Sequence, residues 1–196
     1  MRVAGLLLAA GAGRRFGTPK ALVPLNGELF ADSAAALLKA AGCDPVVVVL
    51  GARADEVRAK ASLDGVSVVD NPDWETGMGS SLRTGLHAVG MVDAVVVLPV
   101  DTPGITVAAL HRLMALAEPK ALARAVYHGA VGHPVLIGSD HFPGVVASAA
   151  GDQGARDYLN ANTVRHVECA DVADGADVDR PEDLPGETAG SSEFPA

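Results

Sequence analysis

Residues 8–22, LAAGAGRRFGTPKAL, bring glycines, arginines and a lysine together at the end of an apolar run. Glycine lets main-chain N–H groups approach an anion closely, and successive N–H groups in such a turn form a concave nest for it. Arg15 adds a planar donor fork suited to phosphate oxygens, and Lys20 a mobile point charge. Leu8, Ala9, Ala10, Gly11, Ala12, Gly13, Arg14, Arg15 and Lys20 are therefore candidates to bind a nucleotide. Arg15 and Lys20 are also candidates to act on its phosphates during reaction.

Three other readings compete for this stretch. Gly11, Gly13 and Gly17 spell GxGxxxG, close to a dinucleotide-binding turn. That turn uses GxGxxG and runs directly into a helix. Here Pro19 and Pro24 interrupt any such helix, and Asp32 falls inside the next helical pattern instead of ending a second strand. A plain glycine turn with solvated cations explains Gly11 and Gly13 equally well when they are taken alone. Arg15, Pro19 and Lys20 shift the balance toward a triphosphate. Finally, Met1-Arg2 before an apolar run imitates a secretion signal, but Val3–Ala9 reads as well as a buried strand and no polar mature terminus follows.

The elements around the loop set its place. Val3–Ala9, 45–50, 66–69 and 94–98 are apolar, β-branched-rich runs, and helical patterns fill 29–41, 55–61, 80–89 and 106–117. Strands that are apolar on both faces and alternate with helices define a mostly parallel, Rossmann-like α/β sheet covered on both sides. The second half is less regular: strands at 121–127 and 134–137 flank a turn at 128–133, with a helix at 152–160 and a last strand at 164–167. One domain is expected over 1–184, with a flexible tail over 185–196 rich in Gly, Ser, Pro and Glu.

Composition narrows the function. The chain has 196 residues, 49% hydrophobic and 20% charged, enough to bury a core, with a net charge of -9. Such a charge disfavours nucleic acid and anionic membrane surfaces, which need a positive field. No apolar stretch is long enough to span a bilayer. Cys43 and Cys169 have neither metal-type spacing nor a disulfide framework, so a reducing, cytoplasmic compartment is expected.

The opening loop resembles the signature of nucleotidyltransferases with the MobA-like fold, most of all the molybdenum cofactor cytidylyltransferases. Four further segments extend the resemblance in the family's order: NPDWETGMGSSLR at 71–83, GHPV at 132–135, GDQGAR at 151–156 and DVDRPEDL at 177–184. It implies an α/β fold of the nucleotidyltransferase type and transfer of a nucleotidyl group from a triphosphate to an acceptor phosphate, releasing pyrophosphate. It implies Mg²⁺, with Mn²⁺ as the alternative, held by Asp101 beyond the 94–98 strand and by Asp179, with Asp177 as the nearest competitor. Asp101 also stands as a catalytic residue, although an Asp before Pro103 serves equally as an ordinary turn residue.

Ser80, Ser81 and Arg83 open a helix, where free N–H groups and hydroxyls suit an anion or a base edge; capping is the plainer use. Trp74, Thr102 and His133 are candidates to contact the acceptor. Thr102 departs from the family, which has Gln there. Ala10 in LAAG points to CTP, because its methyl narrows the space near the backbone, whereas guanylyl-transferring relatives more often carry LAGG. The implied acceptor is the terminal phosphate of molybdopterin, and the implied recipient of the product a molybdoenzyme or its maturation chaperone. Two alternatives stay open from other directions: a guanylyltransferase or another triphosphate transferase of this fold acting on a different small phosphate, and a nucleotide-binding regulatory module without turnover. A literal reading of the glycines leaves a nicotinamide-dependent oxidoreductase.

Overall fold

A computed structural model describes residues 1–185; all of the expected tail beyond Pro185 lies outside the described residues. Strand β1 (Val3–Ala9) is buried along its whole length, as seven consecutive apolar residues require. A loop and a short 3-10 turn (Lys20–Leu22) lead to the two-residue strands β2 (Pro24–Leu25) and β3 (Glu28–Leu29), then to helix α1 (Phe30–Ala40). The chain continues through β4 (Val46–Leu50), α2 (Ala54–Lys60), β5 (Ser67–Asp70), α3 (Met78–Ala88), β6 (Ala94–Pro99) and α4 (Val107–Met114). The second half adds β7 (Leu122–Tyr127), β8 (Ala130–Gly138), α5 (Phe142–Ser148), α6 (Arg156–Asn160) and β9 (Arg165–Glu168).

Seven of these strands form one sheet in the order β5-β4-β1-β6-β8-β7-β9. All neighbours pair in parallel except those of β8, which runs antiparallel to both β6 and β7. Side chains alternate across the sheet as the strand period of two demands. Leu7, Val48, Val96 and Leu136 join α1, α2 and α4 on one face. Leu6, Val49, Val95 and Val135 join α3, α5 and α6 on the other. The loops after β1, β4 and β6 leave one edge of the sheet together, the edge where open α/β sheets bind ligands.

Three elements differ from expectation. The segment 128–133 is not all turn: His128 and Gly129 alone make the bend, both with positive φ (51° and 86°), and strand β8 begins at Ala130. A two-residue turn of this kind matches the twist of the strands it joins, so GHPV lies on a strand. Helix α5 was hidden by its composition, since Pro143 and Gly144 read as breakers. Proline is tolerated in a first helical turn, and a side chain at Gly144 would strike the Tyr158 ring, with its Cβ 2.4 Å from the nearest ring carbon. The expected 152–160 helix is reduced to α6, because Gly154 adopts φ +55° just before it.

Leu110 on α4 is fully buried against the sheet. Leu110→Ala should cost about 2–5 kcal/mol by leaving a cavity, read as a lowered urea midpoint with an unchanged slope.

Candidate active site

The loop after β1 turns at Gly13, whose carbonyl accepts N–H bonds from Phe16 (2.9 Å) and Gly17 (2.8 Å). Gly13 has φ +60°, and a Cβ there would sit 1.8 Å from the carbonyl oxygen of Thr18, so only glycine closes this turn. A Cβ on Gly11 would meet nothing within 4 Å. Gly13 therefore shapes the loop, whereas Gly11 leaves open space. Lys20 follows at the start of the 3-10 turn and points back under the loop.

Three distant segments meet at the Lys20 ammonium. Its Nζ donates to Asp101 Oδ2 at 2.7 Å and to Asp179 Oδ1 at 2.6 Å. Arg15 reaches Asp179 Oδ2 from the other side at 2.8 Å. Asp101 leaves the end of β6, and the C-terminal segment is tied to it by its own backbone: Val178 N–H donates to the Asp101 carbonyl at 2.8 Å, and the Val178 side chain is buried. With Val178 anchored inward, Asp179 is delivered to the cleft. Asp183 secures the far side, accepting the N–H groups of Asp179 and Arg180.

The electrostatics follow from this geometry. Burial works against the charge on Lys20, but its hydrogen bonds to Asp101 and Asp179 together with their charges outweigh it and raise its pKa. The Lys20 hydrogen bond holds the Asp179 carboxyl below its usual range against some burial, and Arg15 adds to the effect. Asp177 goes the other way: burial and the charges of Asp101 and Asp179 raise it, although Lys20 opposes them. Of these two carboxylates, Asp179 is the one that bonds the Lys20 ammonium.

Above these groups opens a cleft of about 510 Å³. Its walls include Leu8, Ala10, Gly11, Ala12, Gly13, Arg14 and Arg15 from the loop, with Lys20, Asp101 and Asp179 at the base and Trp74 and Ser81 opposite. Ala9 is not on the wall; it ends β1 with its side chain in the core. Trp74 is pressed against Gly51, where a Cβ would come within 2.5 Å of the Trp74 Cβ and 2.7 Å of the Ala10 carbonyl oxygen.

Besides Ala9, four expected site residues stand apart from the cleft lining. The Ser80 hydroxyl is enclosed, accepting from Asn71 Nδ2 at 2.7 Å and lying within hydrogen-bond reach of the Asp73 and Gly77 carbonyls. It braces the loop before α3. Arg83 donates to the Ala149 carbonyl, tying α3 to the end of α5. Thr102 is buried, donates to the Pro99 carbonyl at 3.0 Å, and lines a second cavity of about 580 Å³ between α1, the β2–β3 turn and the loop after β6. Proline at 103 and the inward hydroxyl bond turn this side chain away from the cleft. His133 lies on β8 just before the Val97↔Val135 pair, close enough to Asp101 and Arg124 for their charges to act on it. Burial lowers its pKa to about 4, against the pull of Asp101 and with Arg124 adding to the shift, so the ring is neutral at pH 7.

Sequence reasoning missed Asn71, Glu75, Gly77, Met78 and Asp152. Asn71 is the buried hub that also bonds Ser81 Oγ at 3.0 Å. The other four line the cleft. Gly77 is legible in hindsight, with φ +108° and no room for a Cβ against Gly151.

Asp101 and Asp179 present hard oxygen atoms to one cationic position, the donor set that Mg²⁺ and Mn²⁺ favour. Among the described residues no group of three or more His, Cys, Asp or Glu side chains is arranged to hold a metal. Two carboxylates that need substrate oxygens and water to complete a shell fit a nucleotide-borne divalent ion.

An open, mostly parallel sheet with an anion loop, a lysine and two convergent aspartates at its ligand edge defines a nucleotidyltransferase. The chain belongs to the MobA-like NTP transferase domain family, whose model matches residues 5–168. It is 38% identical over 192 residues to nicotine blue oxidoreductase of Paenarthrobacter nicotinovorans, covering 93% of this chain and 94% of that one. It is 32% identical over 146 residues to molybdenum cofactor guanylyltransferase of Rhodobacter capsulatus, covering 72% of this chain and 66% of that protein. The structure of Rv0371c from Mycobacterium tuberculosis H37Rv superposes with a TM-score of 0.80 at 28% identity, covering 92% of this chain and 94% of that one. Its complex with manganese gives 0.74 at 29%, covering 86% and 88%.

Removing the ammonium should release the carboxylates. In wild type the Asp179 carboxyl should titrate below the usual aspartate range, so its stabilising contribution is present above that range and is lost as pH falls through the lowered value. In Lys20→Met, carboxyl-carbon NMR should show its titration moving upward; an unmoved titration would contradict the pairing.

Proposed function

We propose that the protein transfers a cytidylyl group from CTP to the terminal phosphate of a molybdopterin-type acceptor. The observation that carries this reading is the meeting of Asp101, Asp179 and Lys20 directly beneath an open glycine loop. An acceptor phosphate oxygen attacks the α-phosphorus of CTP, the bond from that phosphorus to the bridging oxygen breaks, and pyrophosphate leaves with the electron pair. No protein nucleophile is needed, so the chain's task is positioning and charge compensation. Main-chain N–H groups of residues 10–15 hold the phosphates, and Arg15 and Lys20 meet the charge that grows on the leaving pyrophosphate. Asp101 and Asp179 would hold Mg²⁺ or Mn²⁺, which when bound neutralises phosphate charge and draws electron density from the reacting phosphoryl group. His133, neutral and outside the cleft lining but close to Asp101, is a hydrogen-bonding contact for an acceptor that reaches past Asp101, and Trp74 forms part of the cleft wall.

The case for CTP rests on Ala10. Its carbonyl accepts the Ala52 N–H at 2.9 Å, and Gly51 is packed tightly behind it, so the backbone has nowhere to withdraw from a larger base. One methyl group in a pocket discriminates by about 10- to 200-fold. The relative named guanylyltransferase makes GTP the competing nucleotide. Among the described residues no helix is long and apolar enough to cross a membrane; a cytoplasmic enzyme handing its product to a molybdoenzyme or a maturation chaperone suits this reading.

A second reading follows from the relative named nicotine blue oxidoreductase: the same cleft would take a nicotinamide cofactor. Gly13 against Thr18 speaks for the first reading, since the loop bends back on itself instead of entering a helix.

Pyrophosphate release measured with Mg²⁺, molybdopterin and each of CTP, GTP and ATP should be fastest with CTP, by about tenfold or more over GTP, and should fall to background in Asp101→Ala. Undiminished turnover in that variant would remove Asp101 from the mechanism. Saturable NADPH binding with no release from any triphosphate would favour the oxidoreductase.

A further inference from the structure

Beyond β6, which delivers Asp101, the sheet continues through β8 and β7, and α6 packs on one face of it. Arg124 on β7 pairs across the sheet with Val135 of β8, so the two share a face. His133, two residues before Val135, lies close enough to both Arg124 and Asp101 for their charges to act on it. Val135 joins Leu159 of α6 in the core on that face, and Arg156 opens α6 one turn before Leu159. Two guanidinium groups and an imidazole from three elements are thus gathered beside the end of β6 that delivers Asp101 to the site.

Arg124 is only partly exposed, and its Nε–H is sealed from solvent with no hydrogen-bond acceptor; it is the one buried side-chain polar atom among the described residues left without a partner. Neither Arg124 nor Arg156 has a carboxylate within 4 Å among the described residues. Burial, reinforced by the charge of Arg156, weakens the hold of Arg124 on its proton. A buried donor without an acceptor and two neighbouring cations without an anion describe a place where the missing partner is a ligand. The net charge of -9 makes this local excess of positive groups the more telling.

We infer that Arg124 and Arg156, with His133 between them and Asp101, form the subsite that binds the anionic phosphomonoester of the acceptor substrate. The inference rests on the nucleotidyl-transfer reading for its substrate, and it assigns the acceptor end of the cleft to residues that the opening loop does not include. A dianionic phosphate accepts from the terminal N–H groups of the two guanidinium groups, bridging them over the sealed Arg124 Nε–H, and takes a hydrogen bond from the neutral His133 ring.

The Arg124 Nε–H is its own reporter. Inorganic phosphate and phenyl phosphate, titrated at constant ionic strength into the full-length, ¹⁵N-labelled protein, should shift that resonance saturably and slow its exchange with water. Arg156→Met should weaken the response about tenfold, whereas Arg165→Met, on the exposed strand β9, should leave it unchanged. Arg124→Lys keeps the charge but loses the fork, and should raise the acceptor KM about tenfold with kcat and CTP affinity, followed by the fluorescence of Trp74, little changed. A shift that never saturates, or one that is equal in Arg156→Met and wild type, overturns the subsite. The phosphate titration needs no triphosphate, so its result stands whichever nucleotide the enzyme uses. Failure of every triphosphate to release pyrophosphate would count against the transferase and leave the anion site decided by the titration.

Discussion

The structure turns on one ammonium group held between two carboxylates. Asp101, Asp177 and Asp179 lie close enough to act on one another, and like charges in a partly buried space repel strongly. Lys20 resolves the conflict by bonding two of them, and burial drives Asp177 toward its neutral form. Lys20 and Asp101 keep only 16% and 22% of their side-chain surfaces exposed, so this pair is screened less than an ordinary surface ion pair. Residues separated by 81 and 159 positions are joined at one nitrogen. The loop after β1, the exit of β6 and the C-terminal segment are thereby held together at the ligand edge of the sheet.

The sheet makes that meeting achievable at little conformational cost. β1 and β6 are parallel neighbours, so the loops that follow them emerge side by side. The C-terminal segment is then threaded along the β6–α4 connection. Thr106 Oγ1 donates to the Val172 carbonyl, Asp174 N–H donates to the Gly104 carbonyl, and Val178 N–H to that of Asp101. Gly104 permits the approach, since a Cβ there would stand 2.5 Å from the Asp174 carbonyl oxygen. The antiparallel β8 brings the opposite chain direction to the same edge, which is how a strand residue such as His133 comes to lie beside a loop residue such as Asp101. On the other side of the Val100–Thr102 turn, the second cavity gives that loop an unfilled flank, and Thr102 belongs to it.

Relatives of this chain bear names from different chemistries, a guanylyltransferase and an oxidoreductase, on a shared fold. That is expected where the scaffold fixes only which loops meet and the side chains on those loops choose the reaction. In this chain the groups in question are a carboxylate pair, a doubled-back glycine turn and the two arginines Arg124 and Arg156. The carboxylate pair suits a cation, whereas the glycine turn and the arginines suit anions in a protein whose overall charge is negative.

The order of strands and helices in the first half was open to reading, because fully apolar runs such as VVVVL and AVVVL have one stable home, the interior of a parallel sheet. The glycine loop and Lys20 were also legible, as residue types suited to phosphate, whereas Asp101 and Asp179 stood out only through the family resemblance. Helix α5 was not, since Pro143 and Gly144 look like breakers until Tyr158 is seen against Gly144. Nor were the true partners of Ser80, Arg83 and Thr102, whose hydroxyl and guanidinium groups are spent on backbone carbonyls brought near only by folding. Sequence alone determined which chemistry the chain carries, because charge, size and glycine's freedom are properties of single residues. Only the tertiary structure decided which of those residues share the cleft, because Asp179 reaches Lys20 through a backbone bond between Val178 and Asp101 that no local pattern encodes.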